Sequence, residues 1–186
     1  MASRAQELPL WTISIPIDPP HLNPHYAAMV TNADFSQIAG KRFTYTYGNN
    51  WSYEMFFHSP TRCVYRIHSG PLAGRTNFQH AHYQKIRDNI WQCSWLEETG
   101  TVVSMVVDFD QRTVTTFGAF ARGHWDHPEA ARGWKRNPED LARWKGLAKE
   151  GKDQADRHLM VERADMTSLE QGKGDLPEIQ EDWPTM

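Results

Sequence analysis

From Phe43 onward the chain alternates aromatic with small polar residues. Phe43-Thr44-Tyr45-Thr46-Tyr47 has a period of two, so as a strand it sends Phe43, Tyr45 and Tyr47 to one face and both threonines to the other. Gly48-Asn49-Asn50 then turns the chain. It resumes as Trp51-Ser52-Tyr53-Glu54-Met55-Phe56-Phe57, whose odd-numbered members are again apolar or aromatic, and Cys63-Val64-Tyr65-Arg66-Ile67-His68 repeats the pattern before Ser69-Gly70 breaks it. Further on, Trp91, Cys93, Trp95 and Glu97 share one face of a strand, which sets a carboxylate among indoles.

Short turns separate these runs, and the pattern predicts strands over 41–47, 51–58, 62–68, 77–86, 90–97, 101–109 and 113–120. Strands of this length joined by short turns argue for an antiparallel meander, and about eight of them close into an up-and-down barrel able to hold one small ligand. The remaining strand is expected over 157–167. Between them, Asn137-Pro138-Glu139-Asp140 reads as a helix start: a cap, a proline at the first helical position and acidic groups at the positive end of the dipole. Leu141, Trp144, Leu147 and Ala148 form a stripe at helical spacing that ends at Gly151, suited to cover a barrel opening or a dimer contact. The expected organisation is an N-terminal arm over 1–34, a mainly β barrel domain over 35–168 with a helix inserted near 137–151, and a tail over 169–186, poorly ordered or draped over the surface. Trp11, Ile13, Ile15 and Ile17 in the arm suit an edge strand, and Asp34 can cap a turn over 35–39, closed by Gly40, that plugs one barrel end.

Composition narrows the function classes. A length of 186 residues fits one domain, and a formal net charge of −3 gives no nucleic-acid surface. No apolar run reaches membrane-spanning length, and Pro16, Pro19 and Pro20 interrupt the region where a signal peptide needs an apolar core, so a soluble, cytoplasmic protein is expected. Cys63 and Cys93 read as reduced packing residues. Of the histidines, His21 and His25 share a loop, His80 and His82 share a strand face, and His124 and His127 lie three apart near Trp125; no spacing assembles a metal site, and lining the cavity is the other use for a histidine. No phosphate-binding glycine motif is present, and no cofactor is expected.

Taken singly, Tyr45, Tyr47, Tyr53 and Tyr65 are ordinary half-buried strand aromatics. Together with Glu97 they converge from different strands on an aromatic interior, which suggests a pocket for a small aromatic molecule carrying an ionisable or hydrogen-bonding group.

Tyr45-Thr46-Tyr47, Trp51-x-Tyr53-Glu54, Tyr65-Arg66-Ile67-His68-Ser69-Gly70, Gly74-Arg75 and Ser94-Trp95-Leu96-Glu97-Glu98-Thr99-Gly100-Thr101 with Ser104 resemble the motif series of the phenolic acid decarboxylases, in the same order and at nearly the same spacing. Bacterial members usually carry Trp after the arginine and Pro after the glutamate, where this chain has Thr76 and Glu98; its final third looks more like the longer fungal-type members. The resemblance implies a flattened, lipocalin-like (calycin-like) β-barrel, homodimeric, intracellular and cofactor-free, that removes carbon dioxide from 4-hydroxycinnamic acids such as p-coumaric, ferulic and caffeic acid to give 4-vinylphenols. It also implies Tyr45, Tyr47, Arg75 and Glu97 as the catalytic set and Trp51, Tyr53, Tyr65 and Trp95 as substrate-binding residues.

Such a substrate brings its own electron sink: loss of the phenolic proton and protonation of the alkene carbon beside the carboxylate give a quinone methide whose collapse expels carbon dioxide. The expected division puts Arg75 and Glu97 at one end of the substrate, with Glu97 exchanging a proton, and Tyr45 and Tyr47 at the other. Which end faces the tyrosines stays open in the sequence; the phenolate is the expectation. Two other functions fit the same barrel, a carrier of aromatic ligands without chemistry and an isomerase or cyclase of secondary metabolism, and a buried Arg75–Glu97 pair argues against the carrier because greasy lining would suffice there.

Overall fold

A computed structural model describes residues 32–152 and 156–185. The arm's strand pattern at Trp11 to Ile17 and the His21/His25 loop lie outside the described residues. The elements run α1 (Asn32–Phe35), β1 (Lys41–Tyr47), β2 (Ser52–Ser59), β3 (Arg62–Ile67), β4 (Arg75–His80), β5 (His82–Arg87), β6 (Ile90–Leu96), β7 (Val102–Asp108) and β8 (Thr113–Ala121). There follow α2 (Arg122–Asp126), a 3-10 turn (Pro128–Ala131), β9 (Gly133–Trp134), α3 (Pro138–Leu147) and β10 (Arg157–Gln171). The protein is mainly β, with one ten-stranded sheet in the order β5-β6-β7-β8-β10-β1-β2-β3-β4-β9. Among the described residues, no helix is long and apolar enough to cross a membrane.

Period-two patterning sets the sidedness. In β1, Phe43, Tyr45 and Tyr47 are buried while Thr44 and Thr46 are half-buried, and after β6 the inward set Trp91, Cys93, Trp95 continues into Glu97 with Leu96 outward. These inward side chains form the main core, which Phe35 and Ile38 of the α1 turn join, the ring of Phe35 lying 5.0 Å from that of Tyr83. Cys63 and Cys93 are buried and free.

Closure differs from the expected closed barrel. The hydrogen-bonded order has two ends, and no ladder pairs β4 with β5. The single strand expected over 77–86 is instead two strands, broken at buried Ala81, whose N–H bonds Thr61 O at 2.9 Å as the chain passes from one end of the sheet to the other. Side chains span the seam: Tyr83 of β5 donates to Arg62 O of β3 at 3.0 Å, and Arg75, Asn77 and Gln79 of β4 all reach the turn that follows β6.

Asn137 caps α3 as its sequence predicts, its Oδ1 accepting from Glu139 N at 2.9 Å, although the helix stops at Leu147, short of Gly151. Its Trp144 and Leu147 are buried, so the stripe covers an opening of the curled sheet. The remaining strand, β10, runs on to Gln171 and pairs β8 and β1. Beyond it the tail lies on the outer face of β2, β3 and β4, where Leu176 and Ile179 form a second core with Phe56, Val64 and Phe78. That is why β2 is buried on both faces. Removing the Leu176 side chain leaves a cavity there, so Leu176→Ala is expected to cost about 2–5 kcal/mol in urea unfolding; an unchanged midpoint would mean that the tail does not hold this position.

Candidate active site

Tyr45, Tyr47, Tyr53, Tyr65, Arg75, Trp95 and Glu97 all line one cavity. Ladder register explains much of this: Tyr45 and Tyr53 are direct partners across β1 and β2, their rings stacked at 5.6 Å, and Tyr47 meets both edge-on. Trp51, expected among them, lies instead on a second, outer pocket with Pro71, Trp125 and Pro128. Leu72 and His124 line both spaces and so form the wall between them.

At one end of the cavity Arg75, 0% exposed, meets Glu97, 4% exposed. Arg75 Nη2 donates to Glu97 Oε2 at 3.1 Å, Nε to the Tyr65 hydroxyl at 3.1 Å and Nη1 to Ala131 O at 2.6 Å, while the Trp144 ring covers the guanidinium with its centroid at 3.8 Å. Glu97 Oε1 accepts from the Tyr65 hydroxyl at 2.7 Å and from Trp95 Nε1 at 3.1 Å; Oε2 also accepts from Thr99 Oγ1 at 3.4 Å. Every one of these neighbours donates to the carboxylate. The carboxylate is carried on a tight turn in which Gly100 N bonds Glu97 O at 2.8 Å and Gly100 has φ +76°, a conformation that favours glycine. Burial pulls the Arg75 guanidinium down, but Tyr65 and Glu97 together more than offset it and hold it above its usual value.

A second buried ion pair stands behind the first. Glu98 pairs with Lys135, and its Oε2 accepts from Asn77 Nδ2 at 3.1 Å and Gln79 Nε2 at 3.0 Å. Asn77 Nδ2 also donates to the Tyr65 hydroxyl at 3.3 Å, so the two pairs share one network. Burial lowers the Lys135 ammonium, with Glu98 opposing it.

Neutral phenols line the same cavity. Tyr47 donates to Thr116 Oγ1 at 2.8 Å; burial pushes its pKa up to about 12 despite the hydrogen bonds from Thr116 and Tyr45, which pull it down. Burial likewise drives Tyr45, Tyr53 and Tyr65 well above the ordinary phenol value. These hydroxyls act as donors and polar anchors, not as bases.

The sequence missed Thr116, the Asn77–Glu98–Lys135 network and the cover over Arg75. Asn77, at a buried position directly opposite Tyr65, carries the one signal open to a register argument.

Comparison with known proteins agrees with these motifs. The model of the phenolic acid decarboxylase (PAD) family matches residues 35–180. A "Probable phenolic acid decarboxylase" of Vibrio cholerae is 35% identical over 97 residues, 52% of this chain and 56% of that protein, so the match spans just over half of that relative's length. The phenolic acid decarboxylase PadC of Bacillus subtilis is 28% identical over 141 residues, 75% of this chain and 86% of that protein. A solved structure assigned to a beta-lactamase of Burkholderia vietnamiensis, at 17% identity and a TM-score of 0.47 over 69% of this chain and 92% of its own, is too distant to carry an argument.

The buried phenols give a pH dependence. Tyr47 titrates near 10 in the unfolded chain and about 12 when folded, so between these values the unfolded state loses a proton that the folded state keeps, and stability falls as pH rises. Tyr45, Tyr53 and Tyr65 act in the same direction. Urea midpoints should therefore drop above pH 10, less steeply in Tyr47→Phe; ionisation of these four phenols at pH 10 without unfolding would contradict the assignment.

Proposed function

The chain is an enzyme of the phenolic acid decarboxylase family, and on that premise we propose that it converts 4-hydroxycinnamic acids (p-coumaric, ferulic, caffeic) to 4-vinylphenols and carbon dioxide through a quinone methide, without a cofactor. The observation that carries the reading is that the buried Arg75–Glu97–Tyr65 cluster and the neutral phenols Tyr45, Tyr47 and Tyr53 line one cavity. The proposal sets a flat aromatic acid between them.

In the proposed arrangement the substrate phenol oxygen lies against Tyr45 and Tyr47; Tyr47 turns its single O–H from Thr116 to the substrate, with Thr116 donating to Tyr47 in exchange, and both phenols stabilise the phenolate as its proton leaves to solvent. Inside an aromatic cavity such bonds are stronger than in water. The substrate carboxylate lies at the Arg75 end. With the substrate bound, Glu97 carries the proton that it delivers, taken up from solvent. Glu97 transfers that proton to the alkene carbon bearing the carboxylate, and the ring electrons shift to give the quinone methide. The bond to the carboxyl carbon then breaks, its electron pair restores the aromatic phenolate, carbon dioxide departs, and the phenolate regains a proton from solvent. One proton is consumed per turnover. Tyr65, Trp95 and Thr99 hold the Glu97 carboxylate in place, and Trp144 keeps water from Arg75.

The lipocalin-like shape, the cytoplasmic setting and the homodimer belong to the same proposal. The dimer has support in an apolar strip: Leu96, Val102, Phe117, Leu159 and Val161 are all 43–69% exposed, and register sets Leu96 opposite Val102 and Phe117 opposite Val161 on adjoining strands. Sedimentation should give a dimer that Val161→Glu dissociates; a monomeric wild type would remove this part of the reading.

For the chemistry, loss of the conjugated-acid absorbance and release of carbon dioxide from p-coumarate are the readouts. Glu97→Gln should lower turnover by about 100-fold or more, and Tyr47→Phe by at least about 10-fold. Full turnover in both variants would overturn the residue roles. Binding without gas in the wild type would favour a carrier, and consumption of the acid with neither gas nor vinylphenol would favour an isomerase or cyclase.

A further inference from the structure

His124, on the wall between the two cavities, is used by none of the chemistry above. It is 1% exposed. Its Nδ1 lies 2.7 Å from Thr101 Oγ1, and its Nε2 is buried with no hydrogen-bond partner. Thr101 Oγ1 already accepts the Ala121 N–H at 3.3 Å, and among the described contacts Nδ1 is the one acceptor for its own hydrogen. That fixes the tautomer: Nδ1 accepts, and Nε2 carries the proton. The Phe120 ring packs against the imidazole with centroids 5.2 Å apart, holding its plane. His124 therefore presents a neutral, oriented N–H donor without a protein partner at the wall of the inner cavity. Leaving a buried donor unmatched carries a desolvation cost, and an oxygen atom of a ligand in that cavity removes it.

We propose that His124 Nε2–H binds a carboxylate oxygen of the aromatic acid, alongside Arg75, and so makes the site selective for the acid over the decarboxylated phenol. This rests on the decarboxylase reading of the cavity and adds a residue to it. Thr101 O accepts the Glu97 N–H at 2.9 Å, so the hydrogen bond between Thr101 and His124 ties the imidazole to the turn that carries Glu97, at the guanidinium end of the cavity. Burial first, and that guanidinium second, hold the imidazole well below its usual pKa, so it donates as a neutral group. A neutral donor beside an arginine adds direction to carboxylate binding without adding a second positive charge that would hold the departing carboxylate back.

Two unreactive ligands separate this role from a packing role: 3-(4-hydroxyphenyl)propanoate, which has no alkene to protonate, and 4-ethylphenol, which has no carboxylate. Tryptophan-fluorescence titration measures both. His124→Phe should weaken the propanoate by about 10-fold or more, as expected for a lost hydrogen bond to a charged group, and leave 4-ethylphenol within about twofold; His124→Gln, which keeps an N–H donor, should recover part of the loss. Nitrogen-15 spectra of histidine-labelled wild type supply a readout that needs no variant: the His124 Nε2–H resonance should move downfield with the propanoate and stay in place with 4-ethylphenol. Equal weakening of both ligands, or a resonance that ignores the propanoate, would overturn the proposal. If the wild type turns over p-coumarate while His124 passes neither test, the decarboxylase reading stands and this inference alone fails. If the wild type binds neither ligand and turns over no acid, both fail.

Discussion

The Arg75–Glu97 pair is the constraint on which the site and its enclosure both depend. Two charges removed from water are destabilising unless nearly every lone pair and N–H finds a partner, and here the partners come from four parts of the chain. Tyr65 arrives from β3, Trp95 from β6, Ala131 O from the 3-10 turn and the Trp144 ring from α3. Arg75 sits near one end of the ten-strand order and Glu97 just past the second strand from the other, so the pair forms only when the sheet curls until its ends face each other. Side chains thus make the connection that no ladder makes.

This explains which features were legible in the sequence. Alternation with period two dictates the face of each residue, and once Phe43, Tyr45 and Tyr47 face inward, so do Tyr53, Tyr65, Trp95 and Glu97; the structure brings all of them to one interior. The same rule is silent on depth along a strand. Trp51 shares the face of Tyr53 but lies beyond the strand's end, and it lines the outer pocket instead. Closure was beyond the pattern too: the run over 77–86 holds no glycine or proline, and nothing local marks Ala81 as the point where the chain leaves one edge for the other.

Other features required contacts that no local pattern encodes. Glu98 looked like a departure near the pocket mouth; with Lys135, Asn77 and Gln79 around it, it is the base of a polar layer tied to Tyr65. The acidic tail read as surface covering, yet Leu176 and Ile179 are core residues of the outer layer, which a stretch rich in proline, glycine and acids hides from any periodicity argument. His124 drew notice only as one of two histidines spaced by three. Its significance comes from Thr101, which fixes its tautomer, and from the cavity it borders.

The central claim is that a fixed acid at the Arg75 end delivers one proton to the alkene carbon from one direction. Turnover of p-coumarate in deuterium oxide tests it most directly. The account predicts 4-vinylphenol carrying a single deuterium on its terminal carbon, as one geometric isomer, because Glu97 is held by several donors on one side of the substrate. An even mixture of both isomers, or vinylphenol with no deuterium at that carbon, would contradict it.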